Sequence, residues 1–323
     1  MNPIIEPSLD STLLPGIGRR IKIKLSTITP TLRLIDLGLP MPGYKQSMGV
    51  YLFRGAKTAL VDVGPKSAIP HLFSALAELN ISPEEIDYIM LTHIHIDHAG
   101  GVGLAIREMS NAKVLTHSRA RSHLIDPTVL WQASLQVLGD IAVKYGSIEP
   151  VPEDRIVVAT DQMQLELGDG LTLEVYLTPG HAPHHISLFD RANSVLISGE
   201  AAGICTAGAV RPNTPPPFKL EDALSSIDKL IALKPEKLCY AHLGCYDSGL
   251  ERLKLYREQL LSWYNIINSA VKAGKSLEEI LSLLREKDRS LDYLGSLGRD
   301  EYAREMALLG SSIQGLVELV RKS

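Results

Sequence analysis

Apolar and polar positions first fall into short runs and later recur at helical spacing. The runs Arg20–Leu25, Thr31–Asp36, Gly49–Arg54 and Thr58–Val63, separated by Gly, Pro and charged turns, predict an early β-rich part. Over Ser67–Leu79 the residues Ile69, Leu72, Phe73, Leu76 and Leu79 recur three and four apart, which predicts a helix with one apolar face. Ile86–Leu91 has the composition of a buried strand and runs straight into a cluster of polar residues. A strand end that delivers polar side chains into a loop is where α/β folds usually keep their chemistry. Lys113–Thr116 predicts a short strand and Leu130–Val143 a helical insertion. Strands are expected again at Gln164–Leu167, Leu171–Leu177, His185–Phe189 and Ser194–Ser198, before a Gly/Pro-rich loop from Gly203 to Pro217. A helix over Glu221–Leu233 and a strand over Lys237–Ala241, ending at His242, complete this pattern.

After Gly249 only helical spacing remains, with a break at Gly274, a Ser276-x-x-Glu279 capping box and a last helix near Arg299–Val320. The chain of 323 residues is long for one average domain of roughly 100–200. We therefore expect a catalytic unit over residues 1–248 and a helical segment over 249–323. The spacing of Leu250, Leu253, Tyr256, Leu260 and Ile267 suits packing on the main unit or a homodimer contact. Arg252, Lys254 and Arg257 read as the solvated face of the same helix, with carboxylate binding as the alternative.

Composition narrows the partners. A net charge of −4 and a pI near 6.2 give no electrostatic reason to expect nucleic acid or an anionic membrane, so a small-molecule substrate is expected. Cys205, Cys239 and Cys245 are an odd number with no CxxC pair, which argues against a disulfide framework or a cysteine zinc knuckle and fits a reducing cytoplasm. The start Met1–Pro7 lacks the basic-then-apolar pattern of a secretory signal, and no stretch reaches the roughly 18 apolar residues of a membrane span.

The chemistry is concentrated in His93-x-His95-x-Asp97-His98, four ligand-type side chains within six residues. On an extended backbone His93 and His95 point to one side. A turn after Ile96 then swings Asp97 and His98 toward a second position, while Ile94 and Ile96 anchor the loop. Imidazole and carboxylate ligands without a thiolate suit a catalytic centre of zinc, iron or manganese. Further ligands are expected from loops that follow later strands: His181 in Thr178-Pro-Gly-His181, Glu200 in Ser198-Gly-Glu200, and His242. The isolated His71, His117 and His123 read as ordinary core or surface residues.

Thr92-His-x-His-x-Asp-His-x-Gly-Gly101, followed by Thr178-Pro-Gly-His181 and by Asp62 in Leu60-Val-Asp-Val-Gly64, resembles the metallo-β-lactamase superfamily over roughly residues 20–248. The resemblance implies an α/β fold, an αββα sandwich with the metal site along one edge, here carrying a C-terminal helical extension. It assigns His93, His95 and His181 to one metal and Asp97, His98 and His242 to a second, with Asp62 orienting a ligand and His185 structural. His184 is left open between pocket and surface. Glu200 stands where the family usually has a bridging aspartate, and alkylsulfatase-type members with glutamate keep a bridging role in view. Two divalent ions are implied, zinc first, with iron or manganese as alternatives. The expected activity is hydrolysis of a small ester, thioester or lactone by a metal-bridging hydroxide, with Asp97 taking the proton. A phosphodiesterase of the same fold and a non-hydrolytic iron-loaded redox or sensor module are the alternatives. Appended helices also occur in glyoxalase II-type thioesterases, a likeness of architecture alone.

Overall fold

The computed structural model describes residues 24–39, 41–44, 48–206, 208–242 and 244–322. Residues 20–23 of the first expected strand lie outside them. Its first half supplies the strands β1 (Lys24–Thr29), β2 (Leu32–Asp36), β3 (Gly49–Arg54), β4 (Thr58–Val61), β5 (Ile86–Met90), β6 (Lys113–His117) and β7 (Ile156–Ala159), hydrogen-bonded in that order into one sheet. Pairing is antiparallel from β1 to β4 and parallel from β4 to β7. The second half supplies β8 (Met163–Gly168), β9 (Leu171–Leu177), β10 (Ile186–Asp190), β11 (Val195–Gly199), a separate short pair β12 (Ile204–Thr206) and β13 (Ala209–Arg211), then β14 (Lys237–Tyr240) and β15 (Cys245–Asp247). The second large sheet runs β15-β14-β11-β10-β9-β8.

Period-two alternation explains the layering, because each strand offers one face to its partner sheet and one to helices. In β3, Tyr51 and Phe53 face the intersheet core while Val50 and Leu52 face outward. In β11, Val195 and Ile197 face inward and Leu196 outward. The first sheet is covered by α1 (Ile69–Glu78), α2 (Ile96–Ala99), α3 (Val102–Glu108), α4 (Arg121–Ile125), α5 (Thr128–Leu138) and α6 (Asp140–Tyr145). The second is covered by α7 (Leu220–Ala232), α8 (Gly249–Lys272), α9 (Leu277–Lys287) and α10 (Arg299–Lys322). The architecture is the expected αββα sandwich with C-terminal helices. None of the helices among the described residues is long and apolar enough to cross a membrane.

Several expectations are refined. The single helix over Leu130–Val143 is two helices, α5 and α6, because Gly139 between them takes a left-handed φ of 53° that ends the first. The Gly203–Pro217 loop contains the hairpin β12–β13. The edge strands β7 and β15, four and three residues long, were not anticipated. The Ser276–Glu279 capping box forms, with the Ser276 N–H donating to Glu279 at 2.8 Å.

The apolar stripe of α8 packs inward: Leu253, Tyr256, Leu260, Trp263 and Ile267 are buried in one cluster with Tyr176, Phe189, Leu196, Leu238 and Tyr240 of the second sheet and with apolar residues of α9 and α10. Deleting everything after Gly249 is accordingly expected to uncover that sheet face and give an aggregating product that binds a hydrophobic dye. A truncated chain that stays soluble and dye-negative would show the segment to be an independent appendage.

Candidate metal centre

Strand direction brings the polar residues together. β4 and β5 are parallel, so Asp62 after β4 and Thr92–His98 after β5 leave the first sheet at the same edge. In the second sheet β9, β11 and β14 share one direction, so His181, Glu200 and His242 leave at a common edge as well. The ligand atoms of His93, His95, His181 and Glu200 all lie within 4.8 Å of one another, as do those of Asp97, His98 and His242.

The motif loop turns as its spacing predicts. His95 keeps an extended backbone, α2 begins at Ile96, and Ile94 and Ile96 are buried in the core beneath the first sheet. His93 Nε2 and His181 Nε2 each lie 3.0 Å from His95 Nδ1. A ring nitrogen has either one lone pair or one proton, so His95 Nδ1 cannot bond in plane to both. Three nitrogens so placed instead have the spacing of donors about 2.0–2.1 Å from one cation.

The rings of His98 and His181 are oriented from behind. Asp62 accepts from the Thr92 N–H at 2.8 Å, from the Thr92 hydroxyl at 2.8 Å and from His98 Nδ1 at 2.9 Å. In the neutral ring that bond leaves the lone pair on His98 Nε2, which is buried and has no hydrogen-bond partner. An orphaned buried nitrogen of this kind is what a metal ligand looks like without its metal. His181 donates Nδ1–H to the Asn213 carbonyl at 3.0 Å, which aims Nε2 at the cluster.

Glu200 is held by His185, as the resemblance implied for a structural histidine. The Glu200 N–H donates to His185 Nε2 at 3.0 Å, and His185 Nδ1 donates to Thr178 Oγ1 at 2.8 Å. A relay from Thr178 through Ser187 then ends on the Ser198 carbonyl. Gly199 makes this possible: its φ is 55°, and a Cβ there would meet His185 Nε2 at 2.4 Å. The Glu200 carboxylate spans the two groups of ligands, with Oε2 2.6 Å from His181 Nε2 and Oε1 2.7 Å from His242 Nε2.

Electrostatics agree with a cation site. Burial and then the neighbouring histidines hold His93 far below the usual imidazole range and bring His95 to about 4, the neutral state a ligand requires. Burial also pulls on His98, but the carboxylates of Asp97 and Asp62 outweigh it and raise it to about 9. Burial would raise Glu200, and His181 and His242 reverse that, holding it well below the usual carboxylate range. Against burial, the Glu200 carboxylate also raises His181, so the site draws positive charge to itself, and its nitrogen and oxygen donor set fits a divalent cation in place of those protons.

Of the histidines set aside, His71 bonds the Leu37 carbonyl through Nδ1 at 2.7 Å, and His117 accepts the Arg119 N–H to cap a short 3-10 turn. His184 is half-buried beside the cluster, stacked parallel to His93 at 6.3 Å between ring centroids, and burial lowers it to about 3. Asn213 escaped the sequence reading, because it acts through its backbone carbonyl, which leaves no signature in residue type.

Comparisons with known proteins point to one family. The family model of the metallo-beta-lactamase superfamily matches residues 45–242. A metallo-beta-lactamase fold-containing protein of Sulfurisphaera tokodaii is 31% identical over 254 residues, covering 75% of this chain and 92% of its own length. A hydroxyacylglutathione hydrolase of Albidiferax ferrireducens is 29% identical over 209 residues, covering 63% of this chain and 65% of its own. Among solved structures, an archaeal metallo-beta-lactamase superfamily protein from Sulfolobus tokodaii superposes with a TM-score of 0.68 at 26% identity, covering 89% of this chain and 98% of that one. On motif, fold and relatives together, the chain belongs to the metallo-beta-lactamase superfamily, a family of metal-dependent hydrolases.

Proposed function

We propose that this protein is a two-metal hydrolase in which His93, His95 and His181 hold one cation, Asp97, His98 and His242 the other, and Glu200 bridges them. Its substrate is a small ester, thioester or lactone. The observation that carries the two-metal reading is the Glu200 carboxylate, whose two oxygens lie 2.6 and 2.7 Å from histidines of opposite groups. Glutamate in place of aspartate suits this backbone, since the bond to His185 fixes the Glu200 main chain and the longer side chain spans the remaining gap.

Two divalent cations, zinc first and iron or manganese as alternatives, supply an activated water and a polarised scissile bond when bound. The chain itself supplies orientation and proton transfer. Asp62 and Asn213 fix the tautomers of His98 and His181. Asp97 is the most exposed acid of the centre, with its Oδ2 3.6 Å from His242 Nε2 and 3.7 Å from His98 Nε2. Its second oxygen is the acceptor for the proton released in the reaction. The net charge of −4 favours a small molecule over nucleic acid, and the hydroxyacylglutathione hydrolase among the relatives favours a carboxylic ester or thioester.

Metal titration with a panel of ester, thioester, lactone, sulfate and phosphodiester substrates tests the proposal. We expect two equivalents of metal per chain, turnover confined to the carboxylic substrates, and a fall toward one equivalent in Glu200→Ala with the His98 side the weaker. Glu200→Asp should retain both metals with altered affinity. A single equivalent in the wild type, or Glu200→Ala with both metals at full affinity, would overturn the bridge. Turnover of phosphodiesters alone would overturn the substrate class.

A further inference from the structure

The carbonyl that orients His181 belongs to a segment held from the far end of the chain. Asn213 follows β13, and its neighbours are fastened to α10. The Thr214 hydroxyl donates to the Ser312 carbonyl at 2.7 Å, and the Ser312 hydroxyl lies 3.4 Å from Asn213 Oδ1. Arg211, buried in full, donates Nε–H to Glu305 and its Nη1 to the Pro212 carbonyl at 3.1 Å. Tyr293 donates to the same Glu305 carboxylate. Most telling is Gly315, where a Cβ would lie 1.8 Å from the Thr214 carbonyl oxygen. Glu305, Ser312 and Gly315 are all buried and, seven and three residues apart, share one helix face.

This is more than covering apolar surface. A helix that only shields a sheet has no need for a buried ion pair and a hydroxyl bond on one loop, since burying such groups is costly. What they do is fix the position of the 211–214 segment, and the functional atom on that segment is the Asn213 carbonyl. In the neutral ring that carbonyl keeps the proton on His181 Nδ1, so that Nε2, which faces Glu200 and His95, is the nitrogen offered to a cation.

We propose that α10 is a positioning element of the metal centre: through Thr214 and Asn213 it sets the tautomer and ring direction of His181, and hence cation affinity at the His93–His95–His181 position. The inference rests on reading His181 as a metal ligand. Glu305, Ser312 and Gly315 act through Asn213 and touch neither metal nor substrate.

The test is Gly315→Ala in the full-length protein, with Co²⁺ as the probe. The added methyl must push the Thr214 carbonyl away, although alanine is the better residue for a helix interior. Cobalt affinity, measured by competition with a chelator, is expected to weaken about 10–100-fold, the scale for loss of a group that orients a ligand. The visible d–d spectrum should shift with it. Gly310→Ala, on the same helix with nothing within 4 Å of the added Cβ, should match the wild type in both readouts. In the His181→Ala background, Gly315→Ala should cause no further loss, because the two changes act on one ligand. Wild-type affinity and spectrum in Gly315→Ala, or losses that simply add in the double variant, would overturn the positioning role. His181→Ala with undiminished cobalt affinity would instead overturn the ligand reading, and the inference with it. If Gly315→Ala does not fold, Thr214→Val replaces it, with about fivefold weaker cobalt binding expected from one lost hydrogen bond and unchanged binding refuting the proposal.

Discussion

The double variant His93→Ala/His95→Ala is expected to remain folded while losing metal at the His181 side and all hydrolysis above background. Both side chains lie on the loop between β5 and α2 and outside the hydrophobic clusters, and the isoleucines that pin this loop, Ile94 and Ile96, are untouched. Removing two of three converging imidazoles leaves His181 and one oxygen of Glu200, too few donors to hold a cation of four or more ligands. Circular dichroism and the thermal transition should show the fold, and metal analysis should show the loss. Wild-type metal stoichiometry in this variant would remove the foundation of the proposed centre.

Asp97→Asn is expected to lower kcat by at least about 10²-fold, the scale typical of removing a general base, while most of the metal at the His93–His95–His181 position is retained. Asparagine keeps the shape of the side chain, so Tyr145 and α6 nearby need not move, but it gives up the charge and the ability to take a proton. A second consequence concerns His98. Burial opposes its protonation and the carboxylates of Asp97 and Asp62 favour it, with the net position at about 9. With Asp97 neutralised, one of the charges that oppose burial is gone, and NMR of the metal-free variant should find His98 losing its proton at lower pH than in the wild type. An unchanged kcat would show that the proton goes elsewhere, and an unchanged His98 titration would show that Asp97 does not set the local field.

Local pattern determined a good deal of this protein. His93, His95, Asp97 and His98 are neighbours in the chain, so their convergence needs only an extended segment followed by one turn of helix, and spacing reports both. The core strands were legible for a similar reason: burial on one or both faces shows directly in alternating or continuous apolar residues, as in β3 and β11. The Ser276–Glu279 cap is likewise a contact over three residues. The edge strands β7 and β15 were not legible, since three or four residues carry no periodicity of their own, whether the partner is distant, as for β7, or the preceding strand, as for β15. The break at Gly139 depends on a single backbone angle that apolar spacing runs straight through. Sequence also nominated His181, Glu200 and His242 as residues that follow strands, but only the directions of β9, β11 and β14 bring them to one edge. What tertiary structure alone decided is how the centre is held: Glu200 spanning two groups of histidines, the Asn213 carbonyl on His181, and α10 behind it, where Thr214 meets Ser312 across 98 residues. Such contacts run through backbone carbonyls and long-range packing, and neither leaves a mark on the spacing of residue types along the chain.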